Sequence, residues 1–239
     1  MASKKIYLLS DGCYPTEDLY FRSVVSARLK KSKAGNSKYI NCKQTHPDYL
    51  KARLTKNDII IFFRTLPPSW ALSLPELYEQ AHKTIYVLDD DLRVAANTPS
   101  LPENYRERIS HFAEHYHPLL LDYSDKLVVS SKYLAGQYAD YSPSLLPPSL
   151  LINEQKSSDP NAKKKWICYH ATRSHQKDLE FVTPALQKVL ASPSVAFESL
   201  IGDSTPNELS AYPNVTSRSP KSWRGFQRFQ RVCVRHIGI

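Results

Sequence analysis

A chain of 239 residues with a hydrophobic fraction of 41% is long enough for one or two globular domains and too apolar to be disordered. Its net charge of +9 points toward anionic partners, and its four cysteines, Cys13, Cys42, Cys168 and Cys233, form no C-x-x-C pair, which fits a reducing cytosol. The apolar run IYLL near the start is too short for a signal peptide, and no segment approaches the roughly 20 apolar residues of a membrane helix, so a cytoplasmic protein, or one peripheral at the inner membrane surface, is expected.

KKIYLLS predicts a first strand, followed by the loop DGCYPTED and a helix over about 19–31 that ends before Gly35. KYINC predicts a second strand. PDYLKARL then DIIIFFR, PELYEQAHK then TIYVLDD, and the long helical pattern ENYRERISHFAEHYH then KLVVSS continue the alternation of helix and strand. That alternation is the signature of a parallel sheet covered on both faces, so residues 1–151 read as a Rossmann-like domain. The polar segment INEQKSSDPNAKKK, residues 152–165, has no apolar periodicity and reads as a linker.

Residues 166–239 read as a second domain. WICYHA predicts a strand, the polar turn ATRSHQKD carries Arg173, His175 and Lys177, and Leu179, Val182, Leu186, Val189 and Leu190 fall on one helical face. Pro184 interrupts that face at a cost of about 3 kcal/mol in a helix interior, so two short helical pieces, the second capped by Thr183, are expected. VAFESLIG and NVTSRSP follow as strands with helices between, then SWRGFQRFQ and a last apolar strand around 232–239. From Val215 onward there are Arg218, Lys221, Arg224, Arg228, Arg231 and Arg235 without one acidic residue. Trp223, Phe226 and Phe229 lie along one helical face with Arg224, Arg228 and Arg231 on another, a pattern for an anionic membrane surface, an acidic partner or a packed helix with a solvated face. No nucleic-acid-binding signature accompanies the charge.

The strand WICYHA, then Thr172, His175 and Asp178 at steps of three, then an apolar helix, resembles the start of the C-terminal domain of GT-B glycosyltransferases, especially family four relatives. TIYVLDDDLR at 84–93 and YSDKLVVSSKYLAGQY at 123–138 are similar, in order and spacing, to two segments of that family's first domain, and LLPPSLL fills the place of its Pro-rich crossing. The resemblance implies two Rossmann-like domains of α/β class and a nucleotide-sugar donor whose diphosphate lies at the turn holding Thr172, Arg173, His175 and Lys177, beside exposed N–H groups and a helix N-terminus. It implies transfer to a glycan or lipid-linked acceptor on the first domain with retention of configuration. This chain has His170 and Ala171 where the resembled turn usually has Gly, which limits how closely a phosphate approaches the backbone. The glutamates that hold donor sugar and ribose in that family have no counterpart here, so the second domain is expected to be incomplete.

On the acceptor side, Asp89, Asp90 and Asp91 at a strand's C-terminal end fit three roles: a metal-binding D-x-D, an acceptor-side contact, or a cap of the next segment. The expected mechanism uses cations and needs no metal cofactor. Arg64, directly after DIIIFF, either binds an anionic acceptor or pairs with an aspartate on the neighbouring strand. Asp11-Gly12 after the first strand resembles the glycine loop near the acceptor in GT-B folds, or is a turn. HFAEH formally matches H-x-x-E-H, but it has no third ligand and reads as a solvated helix face. One of His111, His115 or His117 could reach the cleft, and nothing local selects among them. No catalytic residue is assigned. The expected activity is sugar transfer, against the alternative of a non-catalytic transferase remnant or a basic adaptor.

Overall fold

The apolar runs of the first half meet side by side as a parallel sheet, because each is apolar on both of its faces and must be covered on both. In a computed structural model the described residues are 4–12, 20, 36–99, 101–147, 165–171, 175–219, 221–222 and 225. The chain divides into two compact units, Met1–Leu151 and Ile152–Ile239.

In the first unit, β1 (Lys5–Ser10), β2 (Asn36–Asn41), β3 (Ile59–Phe63), β4 (Lys83–Leu88), β5 (Lys126–Val129) and β6 (Ser144–Leu145) form one sheet in the order β2-β1-β3-β4-β5-β6. Every neighbouring pair is parallel. Alternate residues serve opposite faces, as the pleat requires. Tyr7, Leu9, Ile60, Phe62, Tyr86 and Leu88 join one core cluster, and Leu8, Ile61, Phe63 and Val87 the other. Burying each of these side chains contributes about 2 kcal/mol. The short edge strand β6 is an element the sequence reading did not anticipate.

Two aspartates stitch the N-terminal ends of the strands. Asp58, which directly precedes β3, accepts from the Lys5 N–H at 2.9 Å through Oδ1, and from the Thr55 N–H and hydroxyl at 2.9 Å each through Oδ2. Asp125, before β5, accepts from the Thr84 N–H at 2.7 Å, the Thr84 hydroxyl at 3.1 Å and the Tyr78 hydroxyl at 3.2 Å.

The helices of this unit are α1 (Asp48–Lys51), α2 (Pro68–Leu72), α3 (Leu74–Gln80), α4 (Leu92–Ala96), α5 (Glu103–His115), α6 (His117–Asp122) and α7 (Lys132–Gln137). The long pattern ENYRERISHFAEHYH forms α5 as expected, ending at His115, and a further short helix, α6, begins at His117. Pro118 has no N–H to give the carbonyl four residues back, so the chain breaks at Tyr116 and restarts with Pro118 in the first turn of α6. That break turns His117 into the core, where it is 3% exposed.

The second unit is a β-α-β-α-β run: β7 (Lys165–Tyr169), α8 (Gln176–Leu190), β8 (Val195–Ser199), α9 (Asn207–Ser210) and β9 (Val215–Ser217), all parallel in the order β7-β8-β9. Its core gathers Leu179, Leu190, Phe197, Ile201 and Leu209. The expected break at Pro184 does not occur; α8 runs through it as 15 residues. Thr183 is no cap: it is buried, and its hydroxyl donates to the Leu179 carbonyl at 2.8 Å inside the helix. The carbonyl that Pro184 leaves unserved belongs to exposed Glu180, where water can satisfy it, while Leu179 and Leu190 gain from one continuous buried face. The expected apolar face also needs correction, since Val182 is 38% and Val189 42% exposed.

The expected helix near 19–31, apart from Tyr20, lies outside the described residues, as do the linker up to residue 164, most of SWRGFQRFQ and the last strand. Among the described residues no helix is long and apolar enough to cross a membrane.

Candidate functional site

An open parallel sheet binds its ligands outside the carboxyl ends of its strands, at the point where strand order reverses. Here the chain leaves β1 for β2 on one side and returns to place β3 on the other, so the reversal lies between β1 and β3. Asp11 and Gly12 follow β1, Arg64 follows β3, and Asp89, Asp90 and Asp91 follow β4. The residues that the sequence reading assigned to the acceptor side all follow strand C-terminal ends, on this one edge of the sheet.

Arg64 organises that edge. Its φ of 49° is in the left-handed region, which costs a residue with a Cβ about 1–2 kcal/mol. Its Nε donates to Asp89 Oδ1 at 2.8 Å and an Nη to Asp89 Oδ2 at 3.0 Å, a two-pronged pair, and the same Nη donates to Asp90 Oδ2. Burial alone would lower the guanidinium's pKa, but the two carboxylates more than offset it and hold it above its ordinary value. Of the two roles expected for Arg64, the structure shows the ion pair. The Asp89 side chain is 10% exposed and that of Asp90 is 55% exposed, so Asp90 is the more solvent-accessible of the two carboxylates.

The acidic triplet splits by role. Asp91 caps α4, accepting from the N–H groups of Arg93 at 3.1 Å and Val94 at 3.2 Å, while its neighbours turn to Arg64. Among the described residues no three His, Cys, Asp or Glu side chains are grouped to hold a metal ion. Asp11 is buried, with Lys43 Nζ 3.6 Å from its carboxylate. Gly12 closes a turn in which its N–H donates to Ser10 Oγ at 3.2 Å, and its carbonyl accepts from the hydroxyls of Ser10 at 2.6 Å and Tyr39 at 2.8 Å.

Beneath Arg64 lies a chain of buried polar groups. The Tyr86 hydroxyl donates to the Arg64 carbonyl at 2.8 Å; His117 Nδ1 is 3.0 Å from that hydroxyl, and His117 Nε2 is 3.0 Å from the Tyr138 hydroxyl. Burial, helped by the Arg93 charge, lowers the His117 pKa to about 4, so the ring is neutral at pH 7. Burial also raises Tyr86 and Tyr138 above the ordinary tyrosine value. Tyr20 is 7% exposed, and the Ser130 hydroxyl donates to the Asp89 carbonyl at 2.9 Å.

In the second unit, Thr172 and Arg173 lie outside the described residues. His175 stands just before α8 with Nδ1 2.9 Å from Asp178 Oδ2, and its carbonyl accepts from the Tyr169 hydroxyl at 2.9 Å. Lys177 is exposed in the first turn of α8. Asp178 already places a carboxylate in that turn, where the helix dipole favours negative charge. On the central strand, Glu198 is 5% exposed and ion-paired to Arg218, whose Nε is 2.5 Å from Oε1; the contact is too poorly aligned to be a hydrogen bond, and Oε1 accepts none.

Sequence reasoning missed Tyr20, Tyr86, Tyr138 and Glu198, all of which sit in apolar or helical patterns that read as packing. His117 was one of three candidates, and Pro118 directly after it was the signal that could have selected it. His111 and His115 pair ring to ring on α5 with centroids 4.5 Å apart, and the His115 side chain is 51% exposed.

No family model matches the chain, and no curated protein matches it. Among solved structures it is similar to a D-isomer specific 2-hydroxyacid dehydrogenase from Lactobacillus delbrueckii ssp. bulgaricus in its NAD complexed form, with 11% identity over 97% of this chain and 95% of that one, at a TM-score of 0.24. A likeness at that score carries no argument about fold or function.

Proposed function

We propose that the chain is a glycosyltransferase-like protein of GT-B type that transfers a sugar from a nucleotide-sugar donor to a glycan or lipid-linked acceptor, with the acceptor received at the C-terminal edge of the six-stranded sheet. The observation that carries this reading is the Asp90 carboxylate, held from behind by Arg64 and half open to solvent beside the reversal of strand order. A half-exposed carboxylate at this edge accepts hydrogen bonds from the hydroxyls of a sugar, and charge-assisted bonds of that kind are about twice as strong as neutral ones. The three segments that carry the resemblance fall on β4 with its acidic end, on β5 with α7, and on β7 with α8. Donor diphosphate would meet the turn at 171–177, with Arg173, Lys177 and the N-terminus of α8 stabilising the leaving group.

A second reading, a non-catalytic remnant or adaptor, draws on the pair His175–Asp178, which puts a carboxylate where the donor's phosphates would lie. Calorimetric titration of the purified chain separates the two. Nucleoside diphosphates and their sugars would be titrated first, then neutral oligosaccharides. Saturable micromolar binding of one nucleotide and one oligosaccharide is the expected result. Absence of binding to every member of both panels overturns the transferase reading in favour of the remnant.

A further inference from the structure

We infer that His117 is a positioning residue for Arg64, acting through the Tyr86 hydroxyl. The inference rests on the acceptor-site reading only for its purpose, because the geometry involves no ligand. An arginine keeps a left-handed backbone only where its surroundings fix it. Two hydrogen bonds do so: the Arg64 N–H donates to the Val87 carbonyl at 2.9 Å, and the Arg64 carbonyl receives the Tyr86 hydroxyl at 2.8 Å.

Tyr86 has one hydroxyl proton, and that proton goes to Arg64. Its contact with His117 Nδ1 at 3.0 Å must then be one that Tyr86 accepts, so His117 carries its proton on Nδ1. The neutral ring presents a lone pair at Nε2, which takes the Tyr138 proton at 3.0 Å. The whole relay runs one way, from Tyr138 through His117 and Tyr86 to the Arg64 carbonyl. In the opposite tautomer Nδ1 would be an acceptor and would compete with Arg64 for the same proton. Tyr86, His117 and Tyr138 are 0%, 3% and 3% exposed, so water does not step in for a missing partner. Arg93 closes the outer side, its guanidinium 4.6 Å from the centre of the Tyr138 ring and its Nε 3.8 Å from Asp91.

The consequence reaches the acid pair. Without the Nδ1–H to hold it, the Tyr86 hydroxyl loses its fixed place against the Arg64 carbonyl, the Arg64 backbone relaxes from the left-handed region, and the guanidinium is no longer held against Asp89 and Asp90.

The test reads the Arg64 Nε–H directly, in the full-length 15N-labelled chain with no ligand, the resonance being identified by its loss in Arg64→Lys. His117→Asn puts an amide donor near the Nδ1 position, whereas His117→Gln reaches the Nε2 position and leaves Tyr86 without a donor. Exchange of the Nε–H with water is expected to stay within about twofold of the parent in H117N and to rise about tenfold in H117Q, as for a contact that opens locally. Equal exchange in the two variants, whether both protected or both open, overturns the inference. The parent chain alone gives a second reading should a variant not fold: ring-nitrogen shifts of His117 are expected to show the Nδ1–H tautomer, and the Nε2–H tautomer overturns the relay. Failure of either measurement leaves the calorimetric result untouched, and a silent calorimeter leaves the relay standing.

Discussion

The six-stranded sheet carries aspartates at both of its ends, and the two ends treat them differently. At the N-terminal end Asp58 and Asp125 accept three hydrogen bonds each, from the backbone of a neighbouring strand or loop and from nearby hydroxyls. At the C-terminal end Asp89 and Asp90 turn to the Arg64 guanidinium, and Asp90 is half exposed. A buried carboxylate tied to backbone and hydroxyl donors of its own sheet serves the fold. One that pairs with a side chain at the sheet's rim and reaches solvent stands where a ligand would meet it. The same residue type therefore serves as a strand tether at one edge and as candidate recognition chemistry at the other, and its partners, not its identity, decide which.

The contrast can be broken first at the tether. Asp58→Ala removes a buried carboxylate and leaves the part-buried N–H groups of Lys5 and Thr55 without their acceptor, and a loss of about 2–3 kcal/mol is expected in urea unfolding. A loss below about 1 kcal/mol would mean that the N-terminal carboxylates are not tethers at all.

Acid sharpens the comparison at the other edge. The His117 pKa is about 4 in the folded chain and near the ordinary histidine value of 6.5 in the unfolded one, so its contribution is fully present above pH 6.5 and is lost as pH falls toward 4, when only the unfolded state takes up the proton. That loss amounts to about 3 kcal/mol. Urea unfolding from pH 7 to pH 4 is expected to show it as an excess decline in the parent over His117→Asn; parallel curves would refute it.

The smallest effect on stability belongs to Asp90→Asn, less than about 0.5 kcal/mol, since that carboxylate is half exposed. Binding of the oligosaccharide found by calorimetry is nevertheless expected to weaken about tenfold, as for loss of one charge-assisted bond. Unchanged affinity would remove Asp90 from the site.

The parallel sheet was legible because strands buried on both faces write themselves as continuous apolar runs; DIIIFF and TIYVL could hardly be read otherwise. The C-terminal edge was legible for a related reason, because a charge directly after such a run has only the strand's end to occupy. The relay under Arg64 was not. Tyr86 and His117 are 31 positions apart and His117 and Tyr138 are 21 apart, and they meet only through the sheet, which a periodic pattern does not encode. His117 closes the helical pattern before Pro118, and nothing in that spacing marks it as the residue that turns into the core. At Pro184 the propensity argument erred: the penalty was real, but it fell on an exposed carbonyl that the fold could leave to water.

Arg64 also sets two demands at odds within a single codon. Glycine would occupy that φ freely and relieve the backbone, yet it would silence the acid pair; any residue long enough to reach Asp89 must bring the Cβ that the backbone resists. Substitutions there trade durability against recognition along one axis, and no side chain among the twenty satisfies both.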